Sequence, residues 1–221
     1  TTKYMDGHAN CVGGAIVDSG NFDWTKYPDK YPGLCTPDES YHGLVYTKAF
    51  GNLAFTAKAR AHVMRDFGMM ISPMNAWLTN MNLETLPLRM QKHSENGMKL
   101  AEYLASHPKV EWVEYPGLPG SPDAKLAKKY LKACGGVMTF GPKGGRKAAE
   151  KLLNSLELAA LVIHVADART GVLHPASTTH RQLSDGEQRA TGILPELIRV
   201  SAGLEHIDDI IADFEQALAK I

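Results

Sequence analysis

The most constraining feature of this sequence is the short alternation of strand-like and helix-like segments that begins near Pro108. Residues 110–115 are rich in β-branched and aromatic side chains and run into a stretch of prolines and glycines, which predicts a strand followed by a turn. Further apolar segments lie at residues 136–140, 158–165 and 197–201, and helix-like segments lie at residues 124–132 and 146–156. Alternation of this kind is typical of helices packed on a sheet, so we predict an α/β fold.

Helices are predicted upstream of that point. Residues 47–67 carry apolar side chains at helical spacing and stop at Gly68, a residue typical of a helix C-terminus. Ser72 and Pro73 are typical of the cap and first position of a second helix. A third helix is predicted over residues 85–105, and the change in pattern places a domain boundary near its end, at residue 105.

The first fourteen residues are where we expect chemistry. Lys3 follows two threonines, and partial burial of such an amine would lower its pKa and free it to condense with an aldehyde. Thr2 is placed to donate its hydroxyl to a phosphate. Residues 12–17 are apolar and predict a buried strand that ends in a turn. The alternative for Lys3, from the residues alone, is an exposed lysine in a frayed terminus.

Charge and cysteine content exclude several classes of protein. Lysine plus arginine and aspartate plus glutamate number 24 each, without blocks of like charge, so we expect neither a nucleic-acid nor a membrane surface. Cys11, Cys35 and Cys134 are widely spaced, which argues against a disulfide framework or a structural zinc site. The expected setting is therefore reducing and cytoplasmic.

Arg199 is the second residue expected to carry function. It lies among Leu197, Ile198 and Val200, and burying a guanidinium there is costly unless the group meets an anion. Its planar fork matches the carboxylate of an amino acid. The alternative is a structural ion pair with an aspartate or glutamate.

Two histidines bracket a loop rich in hydroxyl groups. His174 and His180 enclose Ser177 and Thr179, but neither a carboxylate nor a cysteine stands at ligand spacing, so no metal site is predicted. The hydroxyl groups of Ser177 and Thr179 would contact a substrate or stabilise the turn, and the sequence favours neither role.

Residues 2–8, with the sequence Thr-Lys-Tyr-Met-x-Gly-His, resemble the attachment motif for pyridoxal phosphate (PLP) in the Cys/Met-metabolism enzymes of fold type I. The resemblance continues to the last helix through five ordered blocks. These blocks are residues 14–24, 40–44, 83–90, 174–180 and 197–201. The chain is thereby similar to the C-terminal half of a family member.

The resemblance implies a fold and a site. Residues 1–105 would be the C-terminal part of the large cofactor domain, and residues 106–221 a smaller α+β domain. Lys3 would be joined covalently to pyridoxal 5'-phosphate, and Arg199 would hold the α-carboxylate of the substrate. Family members are dimers of dimers, which implies a homotetramer.

The remaining site residues come from the same resemblance. His164 and Thr179 would lie on the substrate side of the pocket, together with Arg199. His164 and Ala166 differ from the serine or asparagine and the glycine that the family usually places there, and Ala9 differs from the residues usual in the attachment motif. These departures bear on the choice of substrate.

The implied reaction is a γ-replacement in which O-acetylhomoserine and sulfide give homocysteine and acetate. An alternative is another reaction of the same family, of the cystathionine γ-synthase or methionine γ-lyase type. A second alternative is a non-catalytic half that serves in assembly.

Overall fold

The structure is a computed structural model that describes all 221 residues. The chain forms two compact units. The first, which we call the sheet unit, consists of residues 1–12 and 77–221, and the second, the helical unit, consists of residues 13–76. The predicted α/β class is confirmed, because the sheet unit combines one five-stranded sheet with helices.

The sheet has the strand order β1-β2-β5-β4-β3. Neighbouring strands are antiparallel, except β3 and β4, which are parallel. The strands are β1 (Val110–Glu114), β2 (Val137–Pro142), β3 (Ala160–Leu161), β4 (Gly171–Leu173) and β5 (Ile198–Ser201). The strand that carries Arg199 is therefore the central one.

Ten α-helices are distributed over both units. They are α1 (Pro32–Cys35), α2 (Tyr46–Phe50), α3 (Ala54–Lys58), α4 (Arg65–Phe67), α5 (Pro73–Leu83), α6 (Leu86–Ser106), α7 (Ala124–Tyr130), α8 (Gly145–Leu153), α9 (Asp185–Ala190) and α10 (Ile207–Ala219). Short 3-10 helices lie at Trp24–Lys26, Glu39–Tyr41, Gly51–Leu53 and Pro175–Ser177, and a π-helical segment lies at Ala59–Met64.

The core of the sheet unit lies between one face of the sheet and helices α6, α8 and α10. Phe140 and Val200 point into this core from neighbouring strands, and Leu100 and Phe214 meet them from α6 and α10. Arg199 lies between the buried residues Ile198 and Val200 of β5. Because side chains alternate across a strand, its guanidinium extends from the face of the sheet opposite to the core.

Helix α6 follows its predicted course. Pro87 lies in its first turn, where a missing N–H costs nothing, and His107 and Pro108 follow its last residue. Its end at Ser106 coincides with the predicted boundary near residue 105, and all five strands follow it. The two-domain assignment stays a prediction, because the compact units divide the chain elsewhere.

The helical unit is built from short pieces. The single helix predicted over residues 47–67 is interrupted at Gly51, where φ is 52°, and again by the π-helical segment. Its end at Gly68 is confirmed, because this glycine has a φ of 67°. The apolar side chains at helical spacing are not buried together, since Ala54 is buried whereas Phe50 and Leu53 are exposed. The predicted cap of α5 is confirmed by a hydrogen bond of 3.2 Å from the Asn75 N–H to Ser72 Oγ.

The predicted strand at residues 12–17 is wrong. This segment contains no regular secondary structure, and Val12, Ile16 and Val17 are exposed. A buried strand needs a neighbour to satisfy its backbone groups, and none of the five strands pairs with this segment. Separately, no helix in the structure is long and apolar enough to span a lipid bilayer.

Candidate active site

Lys3 lies on a hydrogen-bonded turn. The Asp6 N–H donates to the Thr1 carbonyl at 3.0 Å, and the Gly7 N–H donates to the Lys3 carbonyl at 2.7 Å. The Lys3 side chain itself is exposed, so the partial burial expected for it is wrong in this structure. The backbone, however, is bound at both ends of the turn, so this segment, which we call the lysine turn (residues 1–7), is not a frayed terminus.

The side chain of Asp6 stabilises the lysine turn through hydrogen bonds. Its buried carboxylate accepts hydrogen bonds from the Asn10 N–H at 3.2 Å and Asn82 Nδ2 at 3.2 Å, and also from the His8 N–H and Cys11 Sγ. Burial raises the pKa of this carboxyl group, but the four hydrogen bonds outweigh burial and leave the pKa below its ordinary value. Asp6 is therefore held as a carboxylate.

Arg89 reaches the same turn from α6. Its guanidinium donates to the Tyr4 carbonyl at 2.8 Å, to the Asn82 carbonyl at 2.8 Å and to Thr85 Oγ1 at 3.2 Å. We did not predict this residue, although the signal was present. Arg89 follows Leu86-Pro87-Leu88, a guanidinium among apolar residues like the one that drew attention to Arg199.

His164 is the residue that the structure brings to Lys3. The distance from Lys3 Nζ to His164 Nδ1 is 3.5 Å, and the other ring nitrogen, Nε2, is buried without a hydrogen-bond partner. The backbone beside it is fixed by a hydrogen bond of 2.8 Å from the Ala166 N–H to Ser201 Oγ. Ala166 has a φ of 68°, a conformation that glycine adopts more readily than alanine.

Several groups determine the charge of His164. Burial lowers its pKa below the ordinary value, and the positive charges of Lys3 and Arg199 lower it further, whereas Asp167 and Asp6 oppose them. The imidazole is therefore neutral at pH 7. A neutral ring whose Nδ1 faces an ammonium group accepts there, which leaves the N–H on the unpartnered Nε2.

Arg199 reaches the segment that carries His164 from the sheet. Its Nη2 donates to the Ile163 carbonyl at 2.7 Å, one residue before His164. Across the sheet, Arg199 is paired with Thr139 on β2 and Leu173 on β4. No carboxylate in the chain forms an ion pair with it, so the structural ion pair that we considered is absent. Burial lowers the pKa of this guanidinium, which retains capacity for an anion.

The loop rich in hydroxyl groups (residues 174–180) forms no hydrogen bond with Lys3, His164 or Arg199. Thr179 Oγ1 lies 2.9 Å from His180 Nδ1, and no hydrogen bond links Thr179 to Lys3, His164 or Arg199. His174 is buried, with Nδ1 2.8 Å from Ser177 Oγ and Nε2 2.7 Å from the Pro195 carbonyl oxygen. Ser177 thus stabilises the turn, and the role of Thr179 stays a prediction.

Thr2 precedes Lys3 and is half-buried, and its predicted contact with a phosphate also stays a prediction. A cavity of about 600 Å³ lies elsewhere, beside β1 and residues 115–123. Its lining includes none of the predicted site residues, so its size does not mark it as the active site. The chemistry of the side chains places the candidate site at Lys3, His164 and Arg199 instead.

Comparison with known proteins gives one consistent result. The sequence model of the family described as Cys/Met metabolism PLP-dependent enzyme matches residues 1–219. The homocysteine synthase of Schizosaccharomyces pombe is 50% identical over 218 residues, which are 98% of this chain and 51% of that protein. The O-acetyl-L-homoserine sulfhydrylase 1 of Thermus thermophilus is 48% identical, over 99% of this chain and 52% of that protein.

A solved structure agrees in fold. A candidate O-acetylhomoserine (thiol)-lyase from Campylobacter jejuni, crystallised with a pyridoxyl-lysine monophosphate, superposes with a TM-score of 0.90 at 37% identity. The match covers 99% of this chain and 52% of that one. The chain thus spans about half the length of the proteins that it matches.

Proposed function

Because the chain belongs to the family of Cys/Met metabolism PLP-dependent enzymes, we propose that it forms part of an enzyme that replaces the substituent on the γ-carbon of an amino acid. The proposed substrates are O-acetylhomoserine and sulfide, and the products are homocysteine and acetate. The names of the relatives from S. pombe and T. thermophilus support this choice. Since the chain spans about half of those proteins, the activity is proposed for the whole polypeptide.

The residues around Lys3 fit pyridoxal 5'-phosphate. The Lys3 amine is exposed and forms no ion pair, and the buried Nε2 of His164 beside it lacks a partner. We propose that Lys3 holds the cofactor covalently and that the Thr2 hydroxyl donates to its phosphate. When bound, pyridoxal phosphate supplies an electron sink that makes hydrogens on nearby carbons of the substrate acidic.

Lys3 also has a role in proton transfer. As a free amine, Lys3 Nζ would take a proton from Cα of the substrate and would move protons to and from Cβ, so that acetate could leave from Cγ and sulfide could take its place. His164 Nδ1 lies 3.5 Å away and accepts from the ammonium form of Lys3, which keeps the amine directed at one place.

Arg199 and His164 bind the substrate carboxylate. The guanidinium of Arg199 offers its free donors to the carboxylate, and the Nε2–H of His164 offers one more. Thr179 is proposed to line the substrate side of the pocket once the substrate is bound. Fixing the carboxylate orients the Cα–H bond towards Lys3, which is a positioning effect on the rate.

The observation that carries the proposal is the convergence of Lys3, His164 and Arg199, which come from three distant segments of the sequence. The test is the variant Lys3→Ala in the full-length protein. It should lose turnover and the visible absorption of the bound cofactor, while the exposed lysine variant Lys26→Ala retains both. Normal turnover by Lys3→Ala would end the assignment.

The reaction type is tested by product analysis. With O-acetylhomoserine, we expect homocysteine in the presence of sulfide. If the enzyme forms cystathionine from cysteine faster than it forms homocysteine from sulfide, it is a cystathionine γ-synthase. Breakdown of methionine without an acceptor would indicate a γ-lyase.

We also propose a cytoplasmic homotetramer in which residues 1–105 belong to the cofactor domain and residues 106–221 form the smaller domain. The free thiols of all three cysteines support a reducing compartment. Exposed apolar side chains such as Phe67 and Met70 support burial in an assembly. Light scattering of the purified protein would test the tetramer, since a monomeric mass contradicts it.

A further inference from the structure

Arg89 is a buried cation without a carboxylate partner at ion-pair distance. Only 6% of the residue is exposed, and no aspartate or glutamate in the chain forms an ion pair with it. Burial lowers its pKa, and the more distant charge of Asp6 raises it in part. A buried charge is costly, so its neighbours should indicate what it does.

Those neighbours are the backbone atoms that follow Lys3. The Arg89 fork donates to the Tyr4 carbonyl at 2.8 Å and the Met5 carbonyl at 3.5 Å, and its other contacts, Asn82 and Thr85, lie at the junction of α5 and α6. The rigid geometry of the guanidinium therefore joins the lysine turn to the start of a 21-residue helix.

Gly7 leaves the space that the guanidinium occupies. A Cβ on this residue would lie 1.9 Å from Arg89 Nη1 and 2.6 Å from Cζ, and its φ of 69° also disfavours a side chain. The Gly7 carbonyl in turn accepts from the Ala168 N–H at 2.9 Å, in the loop that follows His164. The turn is thereby held between α6 on one side and the His164 loop on the other.

Tyr4 fixes the turn at a third point. Its phenolic oxygen accepts from the Gly136 N–H at 2.9 Å, just before β2, and its ring lies edge-on to His93 at 5.2 Å. Residues on the C-terminal side of Lys3 are thus bound through both backbone and side chain, whereas the Lys3 side chain itself has His164 as its neighbour.

We propose that Arg89 is a positioning residue that fixes the backbone after Lys3, so that the amine faces His164 and the carboxylate site at Arg199. This inference rests on the proposed function, and it assigns Arg89 a role in cofactor capture and turnover rather than in substrate binding. Gly7 has the matching role of admitting the guanidinium.

The test uses the full-length apoprotein and the variants Arg89→Met and Arg89→Lys. Capture of pyridoxal phosphate is followed by visible absorption, and borohydride reduction with mass spectrometry locates the modified lysine. We expect Arg89→Met to capture the cofactor at Lys3 about tenfold to a hundredfold more slowly, since displacement by about 1 Å costs that much. Arg89→Lys should recover part of the rate, and the exposed Arg146→Met should match the wild type.

Steady-state kinetics separate positioning from binding. In Arg89→Met, kcat should fall at least about tenfold while KM for the amino acid changes less than about threefold, because Arg199 is intact. If Arg89→Met does not fold, Gly7→Ala, which displaces the guanidinium from the turn, must slow capture in the same direction.

Wild-type capture rates in folded Arg89→Met, or in Gly7→Ala, would overturn the inference. The proposed function fails separately, if Lys3→Ala captures pyridoxal phosphate as the wild type does. Capture that depends on Lys3 but not on Arg89 would remove only the positioning role.

Discussion

Lys3 Nζ and His164 Nδ1 lie 3.5 Å apart, although 161 residues separate them in the sequence. His164 therefore places a titratable group directly beside the lysine. Protonation of His164 would add positive charge beside Arg199, and this makes the binding of a carboxylate dependent on pH.

The first prediction concerns this pH dependence. Because the pKa of His164 lies below its ordinary value, the ring gains its proton only as the pH falls below about 6.5. Amino-acid binding should then tighten by about threefold to tenfold relative to the variant His164→Asn, since a second cation faces the carboxylate. Inhibition constants for a substrate analogue, measured at several pH values, would check this. Identical pH profiles would contradict it.

The second prediction concerns Arg199. Replacement by alanine removes a charged donor to the substrate carboxylate, and such hydrogen bonds contribute roughly 1.5–3 kcal/mol, so KM for the amino acid should rise about tenfold to a hundredfold. The exposed Arg146→Ala is the matched control. An unchanged KM in Arg199→Ala would count against carboxylate binding by this residue.

The third prediction concerns two alanines with positive φ. Ala9 is exposed with φ 54°, and Ala166 is buried with φ 68°. Relief of the left-handed conformation outweighs the greater freedom of glycine in the unfolded chain, so Ala9→Gly should stabilise the protein by about 0.5 kcal/mol. In Ala166→Gly, loss of a buried methyl group worth about 0.8 kcal/mol should cancel that gain. Urea unfolding of both variants would measure the difference, and equal changes would contradict the argument.

The fourth prediction concerns stability in mild acid. His93 is fully buried, with Nδ1 2.7 Å from the Ala202 carbonyl oxygen, and burial lowers its pKa. Below about pH 6.5 the unfolded chain binds a proton at His93 that the folded chain does not. The free energy of unfolding therefore decreases as the pH is lowered, by at most about 1.4 kcal/mol per pH unit. The side chain in His93→Asn retains a donor but cannot titrate. The free energy of unfolding of this variant should therefore decrease less than that of the wild type between about pH 7 and 5.5. An equal loss in both proteins would exclude His93 as the cause.

The elements with a regular apolar repeat were predictable. Helix α6 and strand β1 follow the predicted bounds closely, because the spacing of their apolar side chains matches the face that they bury. Helix α9 was not predicted, although Ser184 and Glu187 form the capping box that typically starts a helix.

The errors have physical reasons. Residues 12–17 have the composition of a buried strand, but composition does not contain the neighbour that a strand needs, and the chain provides none. Arg89 was overlooked because it has no acidic partner, and most of its hydrogen bonds go to backbone carbonyl groups. A backbone carbonyl at Tyr4 leaves no mark in the sequence, whereas an acidic partner would have.

The hydrogen bond between Gly7 and Ala168 has a consequence for the timing of assembly during synthesis. Contacts between segments so far apart close large loops and form late, since the entropy of loop closure opposes them. Until the last strand joins the sheet, Lys3 of a newly made chain lacks the neighbour, His164, that it has in the folded protein. The reaction with an aldehyde that we propose for Lys3 would thereby be confined to molecules that have finished folding.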